Sequence, residues 1–331
     1  MSMTLVGITT PDVAGAIAAA GGRLADIEAR SVAVGDLAAL LVRTNGLSWP
    51  LLRRSRAALR SSMLTAQRIL EAAAMHGPLL PARPGTVIRS RAEASRLLQS
   101  QHRPLAEALR LHGRSRQFQV TISWDPAAAL AARRHHQVLV AVTRAEAGAD
   151  SLATRIHDFM SAEQAAFEAG AMRALATVAQ DVMALPVDQP DMLINAVVLL
   201  APGAEPALEH ALEELDRQLP GDNRIRLIGP LPAISFAAVA IDRPSRARTV
   251  AARRLLGVGE AAEPSDLRRA YLGIARAHHP DSRASPTDAS VVGAAAEACR
   301  LLTRVVEARA SGRTDDVLLV DILRQDQQRS I

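Results

Sequence analysis

Gly77-Pro78-Leu79-Leu80-Pro81-Ala82-Arg83-Pro84-Gly85-Thr86-Val87 divides the sequence at the point where a long helical pattern stops. Pro78, Pro81 and Pro84 each lack a backbone N–H, so this stretch is too rich in proline for a central strand. Upstream, residues 51–75 read as one helix, with Leu52, Leu59, Met63, Ile69 and Leu70 as its apolar positions. His76-Gly77-Pro78 closes it, because glycine ends a helix and proline cannot continue one. Downstream, residues 92–111 read as a second helix.

Working outward, residues 4–9, 31–34 and 37–44 read as strands. Gly35-Asp36 between the last two favours a tight turn, with the glycine free to take positive φ. Residues 117–123 alternate, placing Phe118, Val120 and Ile122 on one face of a half-buried strand. Residues 126–183 are mostly helical and alanine-rich, with a strand expected over 138–142. An apolar strand follows at 197–200. Leu208, Leu212, Leu215 and Leu219 give 205–219 the spacing of an amphipathic helix. Strands return at 224–228 and 235–241, around Gly229-Pro230.

This order suits an α+β fold, with 114–242 of ferredoxin-like type and 1–113 as a separate α+β part. Residues 243–249, polar and proline-containing, read as a linker. Residues 250–310 read as a small all-α segment and 311–331 as a tail. Within the tail, 317–320 has the composition of a strand able to complete a sheet of the body.

Composition bounds the function. A chain of 331 residues has room for two domains and an appendage. Apolar residues make up 49% and aromatics 2%, so the core must come from Ala, Leu, Val and Ile. The net charge is +5 and the sequence has no lysine, so all 39 basic residues are arginine. They are interleaved with acids and lack aromatic neighbours, which argues against a nucleic-acid partner. Cys299 is the single cysteine, so no internal disulfide forms; it reads as a small buried thiol. Residues 1–8 lack a secretory pattern, and no apolar run nears the ~20 residues that span a bilayer. The expectation is a cytoplasmic protein with no membrane partner.

Enzymatic signatures are missing. His135-His136 and His278-His279 have no carboxylate or cysteine at ligand spacing, which argues against a metal. Gly21-Gly22 is not a phosphate loop, and no nucleophile elbow appears. The chain is therefore expected to be no enzyme, with no catalytic residue and no cofactor.

Three stretches resemble the gas vesicle GvpL/GvpF family, over roughly residues 3–241. The first is Leu5-Val6-Gly7-Ile8 with Gly35-Asp36-Leu37-Ala38-Ala39-Leu40. The second is the stretch from Gly77 to Val87, with Pro81, Arg83, Gly85 and Thr86 as its matching residues. The third is Arg226-Leu227-Ile228-Gly229-Pro230-Leu231-Pro232-Ala233-Ile234-Ser235-Phe236, matched at Gly229, Pro230 and Phe236. Departures fall at Pro84, where the family has phenylalanine, and at Ala66, where histidine is common. Leu231, Ala233 and Ile234 replace tryptophan, proline and tyrosine. The resemblance implies a two-domain α+β body whose second domain is ferredoxin-like with extra helices, structural roles for these motif residues, and an accessory role in building the gas-filled shell. Its implied partners are the shell subunit and other gas vesicle accessory proteins.

Residues 250–306 are similar to a J-domain. Leu255-Leu256-Gly257-Val258 matches the end of the first helix. Leu267-Arg268-Arg269-Ala270-Tyr271 and Ile274-Ala275 match the second, and Val292, Ala295, Ala298 and Leu302 fall at the spacing of the third. His278-His279-Pro280-Asp281 supplies the diagnostic loop. Pro264 suits a first helical turn and Asp266 its positive end, while Pro280 would stop the second helix. The resemblance implies an Hsp70 partner of DnaK type, contacted by His279, Pro280 and Asp281 and by Arg268, Arg269 and Arg276. Together the two resemblances imply an assembly adaptor or chaperone that brings an Hsp70 to the shell subunit. A minor structural component of the vesicle and a general co-chaperone are the alternatives.

Overall fold

A computed structural model describes residues 3–43, 56–144, 149–187, 189, 191–219, 223–278, 286–310 and 317–324. The first domain is built on β1 (Met3–Thr9), β2 (Arg23–Leu24), β3 (Ile27–Val34), β4 (Leu37–Arg43), β5 (Leu79–Pro81) and β6 (Val87–Ile88). The strand order is β2-β3-β4-β1-β5, with β6 also on β1. Both faces are covered, which explains why β4 is a continuous apolar run. Ala38, Leu40 and Val42 face α1 (Pro11–Ala19) and α2 (Arg56–Ala74), in a core with Val13, Ile17 and Ile69. Leu37, Ala39 and Leu41 face the other way, toward Leu97, Leu98 and Leu105 of α3 (Arg91–Ser100) and α4 (His102–His112). β3 and β4 meet at Gly35-Asp36, with Gly35 at φ 61°, as the dipeptide predicts.

The second domain holds β7 (Arg116–Ser123), α5 (Pro126–Ala132), α6 (Gln137–Arg144), α7 (Ala149–Val178), β8 (Asp181–Ala184), β9 (Met192–Leu200), α8 (Glu205–Gln218) and β10 (Arg224–Pro232). Its antiparallel sheet runs β10-β7-β9-β8, the order of a β-α-β-β-α-β ferredoxin-like unit with additional helices in the first crossover. Val120, Ile122, Ile194, Ala196 and Val198 pack against Leu208, Leu212 and Leu215 of α8 and against Ala171 and Leu175 of α7.

Beyond lie β11 (Ala238–Asp242), α9 (Arg246–Leu256), α10 (Pro264–Ala277), α11 (Pro286–Ala310) and β12 (Leu319–Leu323). The three helices enclose a core of Ala252, Leu256, Leu267, Ala295, Ala298, Leu302 and Val305, with Tyr271, Ile274 and Cys299 at its margin. Gly257 ends α9 at φ 68°, the left-handed cap that glycine takes without a Cβ clash. Pro264 occupies the first turn of α10, and Glu263 and Asp266 form a capping box.

Several expectations are corrected. Residues 138–142 are helical, inside α6, since a short apolar run fits either period. The helix expected over 92–111 is two helices separated at Gln101, whose φ of −115° leaves the helical basin. Pro104, with no N–H to give, lies in the opening turn of the second. Residues 243–249 are not a free linker. Ser245 caps α9, which starts at Arg246, and Arg243 is ion-paired to Glu93. Strand β11 leaves the second-domain sheet and pairs with β12, so the tail holds a strand. The part of the long upstream helix at 51–55 lies outside the described residues.

That last strand is shared between two cores. Leu318 and Val320 enter the first-domain core beside Leu5 and Leu97. Val317 and Leu319 enter the helical-segment core beside Leu302 and Val305. The alternation of side chains along an extended chain lets one strand serve both.

Candidate functional site

Leu5–Ile8 and the second and third motif stretches meet along one seam. β1 pairs with β5, bringing Gly7 opposite Pro81. A Cβ on Gly7 would lie 2.5 Å from the Leu80 carbonyl oxygen, so only glycine allows the approach. One residue past β5, Ala82 donates its N–H to Val6 O (2.8 Å) and forms a bridge with Val239 of β11. Arg83 donates its backbone N–H to Val239 O at 2.8 Å. Thr86 closes the loop on Arg83 O with both its N–H (3.1 Å) and its hydroxyl (2.6 Å), while Leu5 N–H donates to Thr86 O at 2.8 Å. Gly85 takes φ 84° in that turn.

The third stretch joins from the second domain. Gly229 has φ 153°, and a Cβ there would stand 2.5 Å from the Phe118 ring. The Gly229-Pro230 bond is cis. Gln117 and Ser235 are both buried and bonded twice: Gln117 Nε2 donates to Ser235 Oγ (3.2 Å), and Ser235 N–H donates to Gln117 Oε1 (2.8 Å). Phe236 is buried with Met183, Val197 and Leu199. Arg324, just past β12, lies 5.7 Å over the Phe236 ring and ion-pairs with Asp181 of β8 at 2.8 Å. Gly35 and Asp36 lie apart from the seam at the β3–β4 turn, and the other motif residues occupy its packed and turn positions.

Asp36 is the motif residue with an exposed polar contact. Its carboxylate meets His102 Nε2 at 2.5 Å, and that hydrogen bond holds its pKa below the usual carboxylate range. Beside the seam lies an open cleft of about 610 Å³, lined by Asp26, Arg68, Met75, Arg116, Pro230 and Pro232. Arg116 donates to Ala74 O at 3.0 Å, and burial pushes its guanidinium pKa down.

Arg268, Arg269 and Arg276 sit on a different element, the outer side of α10, all exposed and with exposed Leu272 among them. Arg269 bonds Asp266 at 3.2 Å. His279, Pro280 and Asp281 lie outside the described residues. Among the described residues no group of three or more metal-ligating side chains assembles, and no helix is long and apolar enough to cross a membrane.

Sequence reasoning missed the polar ties of the seam: Glu93, Arg243, Gln117, Ser235 and Arg324. One signal was present. Ser90 and Glu93 stand in the S-x-x-E pattern of a capping box, and Glu93 N–H does donate to Ser90 Oγ at 3.1 Å.

Two sheets joined through glycine and proline loops define a two-domain α+β body whose signature residues serve the joint. Residues 6–238 match the family model of gas vesicle synthesis protein GvpL/GvpF. The chain belongs to that family, which supports a role in gas vesicle assembly. The crystal structure of gas vesicle protein GvpF from Anabaena sp. PCC7120 is similar, with a TM-score of 0.50 and 21% identity over 70% of this chain and 93% of that one. GvpF from Microcystis aeruginosa gives a TM-score of 0.49 and 19% identity, over 71% and 98%. No curated protein sequence matches the chain. The family match ends at residue 238, before α9.

Proposed function

We propose that this protein is a non-enzymatic adaptor or chaperone for gas vesicle assembly, whose body holds the shell subunit while its C-terminal helices bring an Hsp70 to it. Family membership supports the vesicle role. The Hsp70 reading rests on one observation: α9, α10 and α11 pack around Leu256, Leu267, Ala298 and Leu302, leaving Arg268, Arg269 and Arg276 exposed on one helix. Such a face suits an acidic partner surface, with His279, Pro280 and Asp281 following it in the chain. ATP would be turned over by the partner, and this chain would supply binding and handover.

Two assays test the two halves. Light scattering of refolding shell subunit should fall in the presence of the full chain; unchanged aggregation together with no pull-down sinks client holding. Single-turnover ATP hydrolysis by a DnaK-type Hsp70 should rise with the full chain and return to baseline with His279→Gln.

The sharing of β12 favours a second reading, in which the helical segment is a fixed structural part of the body and a docking module only. ATPase rates that stay at baseline with both wild type and His279→Gln would select it.

A further inference from the structure

The outer side of α2 carries a stripe that the fold does not use. Arg60, Met63, Leu64, Gln67, Arg68 and Glu71 recur at three- and four-residue spacing, so they share one side of the helix. Met63 is 52% exposed, Leu64 60%, and Met75, one residue past the helix, 86%. At the helical rise the stripe runs about 22 Å from Arg60 to Met75. Gln67 Nε2 donates to one oxygen of Glu71 at 2.8 Å. Arg60 and Arg68 have no such partner among the described residues. At the Met75 end the stripe opens into the cleft walled by Pro230 and Pro232.

We infer that this stripe and cleft dock an amphipathic helix of a partner protein, its apolar face on Met63, Leu64 and Met75 and its flanking carboxylates on Arg60 and Arg68. Three arguments select that occupant. Exposed methionines are adaptable apolar contacts of the kind used in helix-binding grooves. A strand is disfavoured, because two prolines in β10 deprive that sheet edge of N–H groups. A second copy is disfavoured as well. Two-fold pairing of the stripe about its middle sets Arg68 near its own symmetry mate, and like charges repel. Asp26 and Arg116 give the cleft both signs, so the preference for an acidic partner resides in the stripe.

The full chain should be titrated by fluorescence polarisation against a labelled designed peptide of about 18 residues, five helical turns. The peptide carries leucines along one face and glutamates on the flanks; a second replaces the glutamates with lysines. The glutamate peptide should bind about tenfold or more tightly than the lysine peptide, and M63E/L64E should weaken it by a similar factor. R60E/R68E should invert the preference, which keeps the test sharp if the first variant misfolds. No binding of the glutamate peptide, equal binding of both peptides, or indifference to R60E/R68E overturns the inference. Pelleting with anionic phospholipid vesicles that M63E/L64E abolishes, without peptide binding, would assign the stripe to a lipid surface instead.

Discussion

Arg243 places its guanidinium 3.0 Å from Glu93 Oε1, across 150 residues of sequence. Glu93 is buried, and Arg243 also donates to Val87 O at 2.6 Å. The pair fastens the chain leaving β11 to the N-terminal end of α3. Removing one partner of a buried pair strands the other charge.

Arg243→Ala should therefore destabilise the protein by about 3 kcal/mol. Glu93→Gln should cost less, because Arg243 is partly exposed and can turn its charge to water, whereas a stranded Glu93 stays buried. Denaturant melts of the two variants check the order. A larger loss from Glu93→Gln would contradict it.

Gly7→Ala should destabilise by about 1–3 kcal/mol, the usual range for overpacking. The added methyl meets backbone, the Leu80 carbonyl, which cannot rotate away. Gly15→Ala, in α1 with open space at its Cβ, is the control; there alanine should be neutral or stabilising. The two thermal midpoints should move in opposite directions or by plainly different amounts.

His112 gives the stability a pH dependence. Burial lowers its pKa from the ordinary 6.5, and its Nδ1 is buried with no hydrogen-bond partner among the described residues. The unfolded chain then binds the proton more readily than the folded one. At neutral pH and above both forms are unprotonated and nothing is lost. As pH falls through 6.5 toward the folded value, stability declines. His112→Gln should flatten the stability profile in that acid window and leave the slope above pH 7 unchanged. Urea midpoints across the range provide the measurement.

If α10 engages an Hsp70 through its arginines, stimulation should weaken as salt rises, since exposed charges are screened. Arg268→Glu with Arg276→Glu should remove stimulation without lowering the melting temperature, both side chains being exposed. ATPase rates at two ionic strengths test this, and salt-independent stimulation would count against that face.

Much of this architecture is legible in local sequence. The alternation at Phe118, Val120 and Ile122 gives β7, and the leucine spacing from 208 to 219 gives α8. Gly35-Asp36 locates the β3–β4 turn. Helix α1 was missed although its start is written plainly. Thr10 caps it, Pro11 opens it and Asp12 sits in the first turn. Its alanine-rich body is too weakly amphipathic for a periodicity reading. The partner of β11 was hidden for another reason. Ala238–Asp242 has the composition of any apolar strand, and its mate lies some eighty residues on, so no local pattern assigns it. The same holds for the seam. Gln117 and Ser235 are ordinary polar residues until folding sets them side by side.

Helix α2 shows how a pattern can be read correctly and its meaning missed. Ile69 and Leu70 were recognised as apolar helix positions and are buried in the first domain. Met63, read simply as another apolar position of that helix, is half exposed. With Leu64 it turns the helix into one with apolar residues on both sides, and only the packing of the folded chain separates inner from outer.

The two-sided segment leading into β12 also sets an order of events during synthesis. Met3 and Leu5 are made long before Leu318 and Val320, yet they belong to a core that is not closed until those two residues have been made. Gln101 likewise waits 217 residues for its bond to the Leu318 carbonyl. Contacts of such separation close late and slowly. The arginine-bearing helix α10 is complete in the nascent chain before that closure. A chain interrupted anywhere short of β12 thus carries an unsealed body, with apolar surface open to whatever holds unfinished proteins.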